Sequence, residues 1–223
     1  MTIKERAIVL NYIKYSETSI IVRLFTESRG LQSFMVNGIR NKKTKQAIGN
    51  YQPLNLIEFE GYFQSNKSIH RLNDAKVSVP FKSIYQDFKK STIILFLSEV
   101  LGKVLVHEPE SNATLFHFVW DSIVEFDQMT DQSENFHIHF LIKLAAYLGF
   151  AIESPEDLAE FPNFPHLTNQ IVTSFLNASY QDYIELSSSN RIIILELLIQ
   201  FYRHHIHPMS EIKSLKILHQ ILH

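Results

Sequence analysis

No cysteine occurs among the 223 residues. That absence excludes disulfides, thiolate nucleophiles and any zinc or iron–sulfur centre built on cysteine, and it agrees with a reducing compartment. Long apolar runs are missing too. The longest, Ile192 to Tyr202, holds Glu196 and Gln200 and falls far short of the ~20 residues that cross a bilayer. Near the start, Asn11, Lys14 and Glu17 break the run from Ala7, so no secretory signal is expected. The chain is therefore expected to be soluble and cytoplasmic, with no membrane partner. Glycine is scarce, at six residues, and none builds a phosphate-cradling loop or a Gly-x-Ser-x-Gly elbow. With no His-Glu-x-x-His motif and no paired carboxylates either, catalysis has no visible seat and no enzyme is expected.

What is present is a chain 45% hydrophobic, long enough to bury roughly 70% of its unfolded surface without covalent staples. Charge is divided along it. Residues 1–80 carry twelve Lys and Arg against six Asp and Glu, a net +6, and residues 81–223 carry nine against seventeen, a net −8. Polyanion binding is thus expected in the front part. The stretch from Gly30 to Gly49 concentrates it: Phe34, Met35 and Val36 run into Asn37-Gly38, and Arg40, Lys42, Lys43 and Lys45 follow with no acid among them.

The front part has the period of strands. Five are predicted, at about Ala7–Tyr15, Ser19–Thr26, Leu31–Gly38, Leu54–Tyr62 and Ser68–Val79, separated by turn-like residues. Five strands in so short a span suit a small closed barrel of the OB type, an SH3-like barrel or an open sheet. After Pro80 the period becomes helical. Helices are predicted from an Asp87 or Ser91 cap to Val106, from a Ser111 or Asn112 cap to Phe126, from Glu134 to Leu148 with Gly149 following as a terminator, and over Thr168–Ala178, Ser189–His205 and Ser210–Leu222. The first is apolar around most of its circumference, Leu95 included, and should be central. The expected class is α+β, with residues 1–80 a five-stranded barrel and 81–223 an all-helical domain.

Binding of single strands by a small barrel needs a cationic track and exposed aromatic faces. Candidates are Arg23, Arg29, Arg40, Lys42, Lys43 and Lys45, with Phe34 and Tyr51 as platforms and Tyr12 and Phe25 nearby. Eleven histidines invite a metal reading. However, His137 and His139 stand two apart on a helix and cannot share a face, while His204, His205 and His207 lie where a helix ends. Helix-end and surface roles are expected for them, with no metal and no cofactor.

Ala7 to Thr26, then Arg29-Gly30-Leu31, Asn37-Gly38-Ile39-Arg40, Tyr51-Gln52-Pro53-Leu54, Ile57-Glu58-Phe59, Tyr147-Leu148-Gly149-Phe150 and Lys213 to Leu218 together resemble the bacterial RecO family of recombination and repair mediators. The resemblance covers nearly the whole chain. It implies an N-terminal OB-fold barrel and a helical domain. It also implies binding of single- and double-stranded DNA, annealing of complementary strands, and action with RecR in loading RecA onto DNA coated by single-stranded-DNA-binding protein, whose C-terminal tail is a further partner. The family's DNA-contact role falls on Arg40, Lys42, Lys43 and Lys45, and then on Arg29. Many members carry a four-cysteine zinc segment after the Leu-Gly-Phe element; here Ala151–Pro165 has none, so packing by Leu158, Phe161 and Phe164 is expected in its place. Two other readings stay open on the residues alone: an RNA-binding OB module on a helical scaffold, and a helical hydrolase with a histidine-held metal.

Overall fold

Period-two alternation becomes five strands, β1 (Thr2–Lys14), β2 (Ile20–Thr26), β3 (Gly30–Val36), β4 (Leu56–Tyr62) and β5 (His70–Val77). The computed structural model describes residues 1–39, 48–108, 110–131, 133–159, 161 and 166–222, with backbone alone at 166–168. In it the strands close into a barrel in the order β1-β2-β3-β5-β4, β3 and β5 running parallel and the other neighbours antiparallel. This is the expected OB-type barrel. β1 begins at Thr2 rather than Ala7 because it serves two neighbours: Thr2 to Ile8 pair with β4 and Ala7 to Lys14 with β2. A register shift between Val9 and Asn11 bends it from one to the other.

The barrel interior is filled by alternate residues, among them Val9, Val22, Leu24, Phe34, Val36 and Phe59. At Gly61, beside a second register shift in β4, a Cβ would lie 2.9 Å from the Arg71 carbonyl oxygen. Glycine is what lets the two strands close there.

Among the described residues seven helices follow: α1 (Phe88–Val104), α2 (Ala113–Gln128), α3 (Phe136–Tyr147), α4 (Glu156–Ala159), α5 (His166–Asn177), α6 (Ser188–His205) and α7 (Ser214–Ile221). Of the competing caps, Asp87 accepts from the Lys90 N–H at 3.0 Å and Asn112 from the Leu115 N–H at 2.9 Å. Gly149 has φ +85° and ends α3 in a Schellman turn, with Phe150 N–H to the Ala145 carbonyl and Gly149 N–H to that of Ala146. The single turn of α4 lies in a stretch whose prolines read as irregular, and α7 starts at Ser214 rather than Ser210. α1 buries Ile93, Ile94, Phe96, Leu97 and Val100, but Leu95 is 43% exposed, so one flank faces solvent. Among the described residues no helix is long and apolar enough to cross a membrane.

The chain divides into two compact units, Met1–Phe81 with Leu97–Trp120, and Lys82–Phe96 with Asp121–His223. In the second, Phe126 stacks on Phe136 at 4.1 Å and the Tyr202 hydroxyl donates to the Leu141 carbonyl at 2.7 Å. Arg191, nearly buried, donates to Asn135, Leu186 and Leu222, and so ties the end of α7 to the start of α6. The cysteine-free segment packs on α6: Leu158 is fully buried, Phe161 meets Phe201 and His204 edge-on, and Phe150 lies flat on His205 at 4.8 Å. Phe164 lies outside the described residues.

Candidate nucleic-acid interface

Residues that do not fill the barrel point outward, and two environments receive them. Toward the middle of β1 and the end of β2, Ile8, Leu10 and Phe25 are buried. Phe25 meets Phe116 of α2 at 5.5 Å, and the Ser98 hydroxyl of α1 donates to the Leu10 carbonyl. Farther along the same strands the surface is open. One cross-strand row reads Asn11, Arg23, Ser33, and the next reads Ile13, Ile21, Met35, Arg71, Tyr62. Ile13 is 59% exposed and Tyr62 45%; Tyr15, just past β1, is 60% exposed. An apolar and aromatic strip of this kind on a closed barrel is where bases could lie.

The cations around it fall into two groups. Lys4 pairs with Glu60 at 3.6 Å, Arg6 with Glu27 at 2.5 Å and Arg29 with Glu5 at 2.5 Å. Lys14, Arg23, Lys67 and Arg71 have no acidic partner among the described residues. All four lie in or beside the open rows or in the loop leading into β5. Arg23 is partly desolvated, which pulls its pKa down. A cation in that state, lacking a counter-ion, gains most from an external phosphate.

The paired group has its own chemistry. Arg6 grips Glu27 through two hydrogen bonds and lies 5.0 Å from the Trp120 ring, while His117 Nε2 sits 3.0 Å from the same carboxylate. The hydrogen bond from Arg6 first, then that of His117 and the charges of both, hold the Glu27 carboxyl at about 2 against the opposing effect of burial. A depressed carboxyl stabilises the fold above its unfolded pKa, near 4.5, and loses that contribution as pH falls toward 2. In urea titrations the stability gap between the parent and Glu27→Gln is therefore expected to be widest at neutral pH and to close through that window. A gap constant with pH would contradict the assignment.

The residues singled out from sequence are distributed unevenly. Arg40, Lys42, Lys43 and Lys45 lie outside the described residues. The chain leaves for that segment from the open end of β3, where the Ser19 hydroxyl donates to the Asn37 side chain at 3.1 Å and Ile39 is buried; it returns at a short helical turn, Ile48–Tyr51. Arg23 is half-buried on the open rows. Arg29 is instead held by Glu5 and lies 5.3 Å from the Phe63 ring, so its expected DNA contact would require breaking that pair.

Phe34 and Tyr51 need correction as base platforms, since both are fully buried. Phe34 occupies an inward position with its ring edge-on to Phe59 at 4.9 Å. Tyr51 plugs the barrel, and burial, with the Asp74 charge adding, pushes its hydroxyl pKa up. Tyr12 is part-packed on the same core. Exposed rings come from Tyr15 and Tyr62, which sequence reasoning passed over. The phase of β4 carried the signal for Tyr62, because Ile57, Phe59 and Gly61 point inward and Glu58, Glu60 and Tyr62 outward.

His137 and His139 are buried, at 0% and 3% exposure, rather than at the surface. Among the described residues no three His, Asp or Glu side chains are grouped to hold a metal. The segment Ala151–Pro165 holds neither cysteine nor histidine, so it lacks the donors a structural zinc site takes.

Comparison with known proteins agrees with this architecture. Residues 1–81 match the profile "Recombination protein O N terminal" and residues 85–160 the profile "Recombination protein O C terminal". The chain is 34% identical over 238 residues to the DNA repair protein RecO of Flavobacterium psychrophilum, with 99% of each chain covered. It is 34% identical over 237 residues to that of Flavobacterium johnsoniae, again with 99% of each covered. With that of Bacteroides fragilis the identity is 32% over 240 residues, covering 98% of each.

Proposed function

The chain belongs to the RecO family, and from that premise we propose that it is a non-enzymatic recombination mediator in DNA repair. In this reading it binds single- and double-stranded DNA, anneals complementary strands and, with RecR, helps load RecA onto DNA coated by single-stranded-DNA-binding protein. Residues 1–80 handle the nucleic acid. Residues 81–223 receive protein partners, including RecR and the tail of the coating protein. It would work in the cytoplasm, at the nucleoid.

The observation that supports this most is the open strip of Ile13, Ile21, Met35 and Tyr62, with Lys14, Arg23 and Arg71 in or beside its rows and without acidic partners among the described residues. Unpaired cations neutralise phosphates, while an apolar strip accepts any base, so contacts are independent of sequence. Two strands held without being read can find their own complementarity, which is annealing. Arg40, Lys42, Lys43 and Lys45, which follow β3 in sequence with no acid among them, are assigned the same phosphate-binding role.

The test is annealing of oligonucleotides precoated with single-stranded-DNA-binding protein. The parent should anneal them. The triple change Lys42→Glu, Lys43→Glu, Lys45→Glu should bind DNA more weakly and lower the slope of log affinity against log salt by about one unit per phosphate contact removed. Equal affinity of parent and variant at two salt concentrations would remove these lysines from the site.

A further inference from the structure

The second unit carries a groove that nucleic-acid binding leaves unused. Glu125 of α2, Thr130 and Asp131 just beyond it, and Tyr180 and Gln181 beyond α5 enclose about 420 Å³. Met129 and Tyr180 also line an adjoining recess of about 10 Å³ with Phe136, His139, Phe175 and Asp182. A recess of that size admits one small donor group.

His139, 3% exposed, stands in the recess. The Ala178 backbone engages its ring by a hydrogen bond, and Nε2 is buried with no partner among the described residues. Burial first, then the Lys143 charge, holds the ring's pKa at about 4, against the opposing effects of Ala178 and Asp182. At neutral pH the imidazole is uncharged and Nε2 presents a bare lone pair. A buried acceptor in that state calls for an N–H or O–H donor.

The surroundings ask for a positive donor. Glu125, Asp131 and Asp182 supply carboxylates, and Phe136, Phe175 and Tyr180 line the recess with aromatic side chains. The nearby Lys143 is already held against the Tyr180 ring, its ammonium 4.4 Å from the centroid. Residues 81–223 as a whole are acidic, at net −8.

We propose that the groove and recess dock an arginine side chain carried on a basic segment of a protein partner. The flat guanidinium, lying in the groove, can give one N–H to His139 Nε2 while its other N–H groups and the basic residues beside it meet the carboxylates along the groove. A lysine would offer the charge without the plane.

Acetyl-arginine amide titrated into the full chain tests this, with histidine labelled in ¹⁵N and the Nε2 resonance of His139 assigned through His139→Gln. A saturable shift of that resonance is expected, weakened at least about tenfold in Glu125→Gln with Asp131→Asn and absent with acetyl-citrulline amide, which keeps the shape and loses the charge. No shift, as when solvent alone fills the recess, would overturn the proposal. So would an equal response to citrulline or an undiminished response in the double variant.

Discussion

Replacing Arg23 and Arg71 together by glutamate is expected to weaken binding of a single-stranded oligonucleotide by roughly a hundredfold at about 50 mM salt, because each lost phosphate contact forfeits about eightfold relative to 1 M salt at a slope of 0.7. The reversed charges add repulsion to that loss. Both side chains belong to the open rows across β1, β2, β3 and β5 and neither has an acidic partner among the described residues, so their replacement strands no carboxylate. Thermal stability should stay close to the parent's. A control comes from Lys4, which is exposed and pairs with Glu60: Lys4→Glu makes the same charge change as Arg23→Glu or Arg71→Glu alone and should reduce affinity far less than either. Fluorescence anisotropy at several salt concentrations reads both, and comparable losses would show that net charge, not the open face, governs binding. Tyr62→Ala, removing an exposed ring, should leave the salt slope intact and lower affinity alone.

Lys90→Met is expected to destabilise the fold by about 3 kcal/mol, the range for removing a charged donor from buried acceptors. For a chain of this length that means a fall in Tm of about 6–12 °C. Lys90 is 3% exposed, and its ammonium donates to Ser83 Oγ at 2.7 Å and to the carbonyls of Phe126 at 2.9 Å and Met129 at 2.5 Å. Those carbonyls lie in the last turn of α2 and just beyond it, where a helix has no donors of its own and its dipole favours a cation. Burial lowers the lysine's pKa, and the charges of Asp127 and Asp87 counteract it. Asp127 completes the clamp from the other side. Although its own burial would raise its pKa, the N–H groups of Lys82, Ser83 and Ile84 at 2.8–3.0 Å pull it down. Methionine fills the same volume and leaves the carbonyls bare. The neighbouring Lys89 is half-exposed and 3.9 Å from Glu134, so Lys89→Met should cost about 0.5 kcal/mol or less. Matching denaturation curves for Lys90→Met and the parent would refute the clamp.

What the sequence determined by itself was whatever depends on neighbours along the chain. Alternation in Ser19–Thr26 and Ile57–Glu60, helical spacing after Pro80, the paired cap candidates Asp87 or Ser91 and Ser111 or Asn112, and the Gly149 terminator are local patterns; each reappears in the structure within a few residues, with Asp87 and Asn112 as the caps used. Charge asymmetry between the two ends was equally plain. The start of β1 was lost because Lys4, Glu5 and Arg6 mask the alternation of a strand that pairs there with β4, more than 50 positions away. Tertiary structure alone decided which cations are free. Glu5 and Arg29 meet 24 positions apart through strand pairing, which withdraws an arginine that looked available, whereas Arg71, unremarkable in sequence, is placed beside Met35 by the parallel β3–β5 closure. The same closure turns Phe34 inward and leaves Tyr62 out. The cage around Lys90 is likewise a product of packing, since its carbonyls lie 36 to 39 positions away. Hydrophobic period is written into adjacent residues, but ion pairing and burial depend on where distant segments meet, and that is settled when the barrel closes and the helices pack.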